Sequence, residues 1–382
     1  MPLKYLLMKN FLRVDKRVDI FVTRKCPLAC SYCEIVGYKH MSFKTARDVI
    51  SFIKNDSDKY YRIIFQGGEP LLNFDVLKFL VEEMECMNDK KFNFEILTNL
   101  TIWNKEIEDF IKKHKMIIQT SLDGTEKTHN LNRKFKNGSG SYKIVVHNLR
   151  NVIKKFPNLH VKMVCSWVKI KSYREFKADV NNIIKMGVKN LTIAYDYRET
   201  DFKKLEKMNS YIARWYYEYA KNKRDLPPLS NVNLNLKKNI LPTEKSGRMY
   251  LKNPCETAEG RTIVIDSDGN TYPCLFYLLA GNHKRFSFGK ISDLNKKHMA
   301  IFQAAAVSFL KEYSGNKKHL VDNKIKIPTC IAMNYRRTGT SFKLDMVQMK
   351  EAELQIKRDL WIYNKLKKHR WFLKALTTQV RE

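Results

Sequence analysis

Arg17-Val18-Asp19-Ile20-Phe21-Val22-Thr23-Arg24-Lys25-Cys26-Pro27-Leu28-Ala29-Cys30-Ser31-Tyr32-Cys33 is the stretch from which the fold is read. Its first six residues are β-rich, four of them apolar, the pattern of a short strand. Three cysteines follow directly, on the loop after that strand. Outward from it the pattern repeats. Ser42 reads as an N-cap for a helix through Phe43, Ala46, Val49, Ile50 and Ile53, whose apolar spacing is near 3.6. Further strands are expected at 61–65, 92–97, 116–120, 159–168 and 188–194, with helices at 75–87, 106–113, 142–155 and 173–186 between them. Six β-runs alternating with helices predict parallel strands joined by right-handed crossovers. The expected fold class is α/β, a partial (β/α)6 TIM-like barrel.

The cysteines carry the chemistry. The chain has 382 residues and only 8 cysteines, too few for a disulfide scaffold, and they are unevenly placed. Cys26, Cys30 and Cys33 form a C-x3-C-x2-C run. Three thiolates on one short loop suit three corners of a [4Fe–4S] cluster, whereas a structural zinc site takes four closed ligands. One strand later stands Gln66-Gly67-Gly68-Glu69-Pro70. Two glycines let backbone approach a ligand closely, and a carboxylate accepts hydrogen bonds from an ammonium group.

Together these motifs resemble the radical S-adenosylmethionine (radical SAM) superfamily, whose defining cysteine spacing carries an aromatic before the last cysteine, here Tyr32. The resemblance implies a [4Fe–4S] cluster on Cys26, Cys30 and Cys33, with the open iron chelated by S-adenosylmethionine. It implies cofactor contacts from Gly67, Gly68, Glu69 and Pro70, and from Asn99 after the third strand. Thr120-Ser121-Leu122-Asp123-Gly124, with His129, Arg133 and Asn137-Gly138-Ser139-Gly140-Ser141, resembles a pattern of peptide-modifying members. By that resemblance Ser121 faces the cofactor. His129 and Arg133 fit either ligand contact or loop-stabilising hydrogen bonds.

Cys255 and Cys274 enclose a hairpin signal, Arg261 to Ile265 and Thr271-Tyr272 around Asp266-Ser267-Asp268-Gly269-Asn270. With Phe288-Gly289-Lys290-Ile291 they resemble the opening of a SPASM or Twitch extension, which implies an auxiliary iron–sulfur cluster. Cys330 is the remaining ligand candidate. The full SPASM set needs about seven cysteines, so one auxiliary cluster is expected, against the alternative of structural cysteines only. Cys86 and Cys165 read as buried small hydrophobes. Asp266 and Asp268 read as turn residues. The expected division is an extension at 1–16, the barrel at 17–230, the SPASM/Twitch-like segment at 231–345 and a basic amphipathic helix at 346–382.

Composition excludes other classes. Apolar residues make up 44 % and aromatics 12 %, with 14 Gly and 10 Pro, so the chain is neither disordered nor fibrous. No apolar run spans a membrane and no signal peptide is evident, which gives a cytoplasmic expectation. The 71 Lys+Arg against 39 Asp+Glu leave a net charge of +32. That excess fits a solvated lysine-rich surface or attraction to an anionic partner. A nucleic-acid partner is not expected, because no recognisable module for one is present.

By resemblance, the partners are an external one-electron reductant, flavodoxin- or ferredoxin-like, and a peptide or small-molecule substrate. The stretch before Cys26 leaves no room for a precursor-binding winged helix, which weighs against a peptide substrate without removing it, since recognition can reside on a separate protein. The implied function is radical SAM modification of a peptide or protein. The alternatives are a small anionic metabolite, sugar or nucleotide as substrate, or, more remotely, a non-catalytic basic metal-binding protein that binds nucleic acid. At 346–376, apolar Leu360, Trp361, Ile362, Leu366 and Leu373 alternate with Lys365, Lys367, Lys368, His369 and Arg370. That segment fits a helix packed on the barrel or a basic docking surface.

Overall fold

The computed structural model describes residues 15–35, 37–166, 170, 172–196, 198–241, 255–257, 260–280, 283–315, 320–321, 325–326, 330–341 and 343–378. In chain order the principal elements are β1 (Lys16–Thr23), α1 (Phe43–Lys54), β2 (Tyr60–Gly67), α2 (Phe74–Glu85), β3 (Lys91–Thr98), α3 (Lys105–Lys113) and β4 (Ile117–Ser121). Next come α4 (Glu126–Asn132), α5 (Tyr142–Lys155), β5 (His160–Cys165), α6 (Tyr173–Ile184), β6 (Asn190–Tyr195) and α7 (Phe202–Lys223). The last third holds β7 (Thr262–Ile265), β8 (Thr271–Tyr272), α8 (Lys296–Gly315), α9 (Ile331–Thr338), α10 (Met346–Leu366) and α11 (Arg370–Thr378). All six expected strands form. Among the described residues no helix is long and apolar enough to cross a membrane.

Local signals set the helix starts. The Ser42 side chain accepts the Thr45 N–H, and the Asn104 side chain accepts that of Ile107. Ser172 and Glu175 form a reciprocal capping box at α6, while Asp201 and Asp345 cap α7 and α10.

The chain divides into two units interleaved along the sequence. The first comprises 1–120, 134–149 and 255–308; the second comprises 121–133, 150–254 and 309–382. The segment expected to form an appended domain, 231–345, is therefore shared between them. In the first unit the strand order is β8-β7-β1-β2-β3-β4. Strands β1 to β4 are parallel neighbours, with Val18 opposite Ile63 and Ile64 opposite Glu95. The expected hairpin forms as β7 and β8, antiparallel about Gly269, which takes φ +85° and donates its N–H to the Asp266 carbonyl at 2.8 Å. The hairpin is not a separate sheet. Strand β7 runs parallel to β1, Arg17 opposite Thr262 and Ile20 opposite Ile265, so it extends the sheet on its free edge. One face of β1 and β2 (Val18, Ile20, Ile63, Phe65) is completely buried. Along the other face lies a polar row in which Arg17 grips Asp19, Gln66 donates to Asp19 at 2.9 Å, and Arg62 pairs with Glu95.

The second unit pairs β5 with β6 in parallel and packs α10 along α7. The C-terminal stretch is two helices, not one. The turn between α10 and α11 lets Ile362, Leu366, Phe372 and Leu376 all reach zero exposure, while Lys357, Lys365, Lys367 and Lys368 face solvent. This is the packed alternative for the tail. At its centre Arg358 is buried with Asp359, to which it donates at 2.7 and 3.0 Å, and it also reaches Tyr195 Oη and Asn209 Oδ1. Replacing Arg358 by methionine leaves Asp359 buried without its cation. Denaturant unfolding should then show a loss of about 3–5 kcal/mol.

Cys165 is buried as expected. Cys86 is exposed, because the buried stripe of α2 (Val76, Leu77, Leu80, Val81, Met84) leaves position 86 on the opposite side.

Candidate functional site

The C-terminal ends of β1, β2 and β3 bring the first cysteine group and the glycine turn together within the first unit. The register of β1 on β2 slips between Phe21 and Thr23, an irregularity of the kind that re-aims backbone at strand ends. Immediately after it the chain is gripped from both sides. On one side Arg24 N–H donates to the Lys39 carbonyl at 2.9 Å. On the other, Gly68 N–H donates to the Thr23 carbonyl at 2.9 Å and Glu69 N–H to the Lys25 carbonyl at 2.8 Å. Gly67 has φ +133°, and a Cβ on it would overlap the Thr23 carbonyl oxygen; one on Gly68 would overlap that of Lys25. Only glycine permits this approach. The turn therefore lies directly against the start of the cysteine loop.

Within the loop, Cys33 N–H donates to the Cys30 carbonyl at 3.0 Å, and Pro27 is held through its carbonyl by Lys136 N–H at 3.1 Å. Leu28 is buried; Cys26, Cys30 and Tyr32 are half-buried, and Cys33 is exposed. Burial pushes the Cys26 thiol up to about 12, so it ionises only against a cation or metal. Asn99, at the end of β3, aims its amide Nδ2 at Cys26 Sγ, 3.5 Å away. Among the described residues no three Cys, His, Asp or Glu side chains converge on one point as ligands of a single ion do. A [4Fe–4S] cluster takes each thiolate at a different iron, and three thiols within eight residues match that donor set.

Glu69 is wholly buried. Its Oε1 accepts Thr98 Oγ1 at 2.9 Å and Leu71 N–H at 3.2 Å, and its Oε2 accepts Asn99 N–H at 2.7 Å. Burial raises its pKa to about 7 despite these donors. No described cation pairs with it, and Oε2 keeps accepting capacity. A buried carboxylate in that state favours a cationic ligand. Pro70 follows it, buried, and begins a 3-10 turn for which Glu69 is the cap.

The second unit holds the Ser121–Arg133 motif. Ser121 ends β4 and is half-buried. Asp123 is fully buried and accepts from Arg133, Asn132 and the Val164 N–H. His129 is fully buried and accepts the Asp123 N–H at Nδ1, at 3.4 Å. Asp179 accepts from Thr125 and Thr128 and crowds Gly124, where a Cβ would strike it. The loop-stabilising hydrogen bonds that one alternative gives to His129 and Arg133 are present.

Burial, reinforced by the Arg133 charge, lowers the His129 pKa to about 4. Its ordinary value is about 6.5, so between the two values the unfolded chain binds a proton that the folded chain refuses. Stability is then fully present above pH 6.5 and is lost as pH falls through 4. Unfolding of the metal-free protein at pH 7 and at pH 4 should show wild type losing about 3 kcal/mol more than His129→Gln.

Cys255 and Cys274 are half-buried in the first unit, Cys274 as the N-cap residue of a short helix, Leu275–Leu278. Cys330 lies in the second unit and begins α9. Its backbone N–H donates to Gln348 Oε1 at 2.6 Å; burial raises its thiol pKa, and the Met333 and Ala332 N–H groups oppose that rise.

One grip on the cysteine loop has no local sequence signal. Arg24 donates from Nε and Nη2 to both oxygens of Asp266, at 2.7 to 3.1 Å, across 242 residues. Asp266 also caps the β7–β8 turn, so it does more than turn the chain.

A family model, the Radical SAM superfamily, matches residues 20–181. A cysteine-type anaerobic sulfatase-maturating enzyme of Clostridium perfringens is 24 % identical over 305 residues, covering 72 % of this chain and 78 % of that protein. An uncharacterized protein of Methanocaldococcus jannaschii is 30 % identical over 261 residues, 64 % of this chain and 86 % of that one. Among solved structures, anSMEcpe with bound AdoMet and the Cp18Cys peptide superposes with TM-score 0.72 at 20 % identity, covering 94 % of this chain and 98 % of the other. Streptococcus suis SuiB bound to S-adenosylmethionine gives TM-score 0.58 at 17 % identity, over 90 % and 79 %. At these identities the structures establish a shared fold: α/β with a parallel sheet, the partial-barrel arrangement.

Proposed function

Because this chain belongs to the radical SAM superfamily and is a radical SAM enzyme, we propose that it uses that chemistry to modify a peptide or protein. The observation that carries the site assignment is the glycine turn, hydrogen-bonded directly onto the entry of the three-cysteine loop. Cys26, Cys30 and Cys33 would hold the [4Fe–4S] cluster, with S-adenosylmethionine bound beside it. When bound, this pair supplies one-electron cleavage of the sulfonium 5′ C–S bond and, through it, hydrogen abstraction from substrate.

The chain's own residues do the positioning. Gly67 and Gly68 admit the cofactor to backbone contact, and Glu69 receives its ammonium group in exchange for a buried, unpaired charge. Asn99 holds Cys26 through its amide and Glu69 through its N–H, so one residue sets the spacing between cluster and amino-acid end. Tyr32 and Pro70 would supply further cofactor contacts, and Ser121 would face its ribose or amino-acid end. Cys255, Cys274 and Cys330 are the proposed ligands of one auxiliary iron–sulfur cluster in a SPASM/Twitch-like segment, 231–345, which in the chain follows a barrel at 17–230 and precedes the helical tail at 346–382. A flavodoxin- or ferredoxin-like protein delivers the electron.

A peptide substrate is supported by the sulfatase-maturating relative and by the peptide-bound structure of similar fold. The test is anaerobic reconstitution, reduction and assay of 5′-deoxyadenosine, followed by mass spectrometry of candidate peptides. Iron-loaded protein that leaves S-adenosylmethionine intact overturns the reading.

A further inference from the structure

Two independent contacts tie the ends of the three-cysteine loop to the segment that carries Cys274, all within the first unit. The first is the Arg24–Asp266 pair. Arg24 stands two residues before Cys26; its side chain is 15 % exposed and that of Asp266 7 %. The guanidinium meets the carboxylate in two-pronged fashion, the geometry that fixes orientation as well as distance. A Cβ on Gly37, beyond the last cysteine, would press on the Arg24 side chain at 3.1 Å, so the loop's exit also lies against this arginine.

The second contact is apolar. Phe21, Val264, Tyr272 and Leu278 form a buried cluster, against which pack Ile35, two residues after Cys33, and Leu275, the residue after Cys274. Entry and exit of the loop are thus both fastened to the β7–β8 hairpin and the short helix following it. Hydrogen bonds from Gly68 and Glu69 reach Thr23 and Lys25, the residues on either side of Arg24.

We propose that Arg24 and Asp266 are positioning residues that hold the three-cysteine loop, and with it the S-adenosylmethionine site, in register with the hairpin. The proposal rests on the functional reading above for its cofactor. Neither side chain is asked to touch substrate or move a proton. Their contribution is to remove freedom from residues 24–41, so that Lys25 presents its carbonyl to Glu69 and Cys26 stays within reach of Asn99.

The experiment compares wild type with Asp266→Asn and Arg24→Lys. Hydrogen exchange of the metal-free protein reads loop order without any cofactor. Amides in 24–41 should exchange at least about tenfold faster in Asp266→Asn, with Arg24→Lys between it and wild type. In reconstituted protein the KM for S-adenosylmethionine should rise about tenfold, with kcat at saturation and iron content little changed, the mark of lost ground-state positioning. Lysine keeps the charge but only one of the two prongs, so if Asp266→Asn fails to fold, Arg24→Lys carries the comparison.

A folded variant with wild-type exchange in 24–41 and a wild-type KM overturns the proposal. So does faster exchange spread evenly over the whole chain, which signals general destabilisation only. Should wild type itself cleave no S-adenosylmethionine, the functional reading fails separately. The exchange result then still decides the clamp, since it needs no cluster.

Discussion

Replacing Cys26, Cys30 and Cys33 together by alanine abolishes 5′-deoxyadenosine formation in the reconstituted, reduced protein. On the proposed assignment the three thiols are the protein-borne donor set of one cluster, and among the described residues no other group of three Cys, His, Asp or Glu converges that could replace them. With every proposed ligand of that cluster removed, the expected loss is complete and not a change of rate. Iron content separates the two sites. If Cys255, Cys274 and Cys330 hold a second cluster, wild type carries about eight irons and the triple variant about four, on four irons per cluster. A triple variant that still forms 5′-deoxyadenosine at the wild-type rate defeats the site assignment. A wild type holding near four irons, unaltered by Cys255→Ala, means that the auxiliary site is empty.

Gly68→Ala should lower S-adenosylmethionine cleavage about 100-fold, equivalent to about 2.7 kcal/mol of lost stabilisation. The new methyl would overlap the Lys25 carbonyl and lie against that of Arg24. The turn can accept it only by withdrawing from the loop entry, which breaks the Gly68 and Glu69 hydrogen bonds to residues 23 and 25. Glu69 then moves relative to Cys26. Far-UV circular dichroism should be unchanged, since the strand and helix on either side keep their own bonds. The quantity to measure is the initial rate of 5′-deoxyadenosine formation at fixed S-adenosylmethionine. A rate within threefold of wild type would place the turn outside the cofactor site.

Several of these features are legible in the amino-acid order alone. The strand period of Arg17–Val22, the cap at Ser42 and the breaks at glycine are local events, decided by side-chain direction and backbone sterics within a few residues. Cys26, Cys30 and Cys33 stand out because three thiols so closely spaced suit binding one cluster from a single loop. The glycine turn is legible for a similar reason: backbone that must approach other backbone excludes every residue with a Cβ.

Short-range chemistry therefore sets the alternation of strands and helices, the family, and the positions of the cysteine loop and the glycine turn. What depends on partners far apart in the chain is settled only when the chain packs. Packing places the Cys255–Cys274 hairpin on the free edge of β1, although its turn chemistry says only that a hairpin forms. It converts Asp266 from a turn residue into the anchor of Arg24, 242 residues away. It makes His129 a buried, neutral acceptor and the basic tail two packed helices around Arg358 and Asp359, because burial is a property of the assembled core and not of a residue's own neighbours in sequence. Local patterns report what a segment can form; only packing against distant segments determines which of its polar groups lose water, and those are the groups that must find one another.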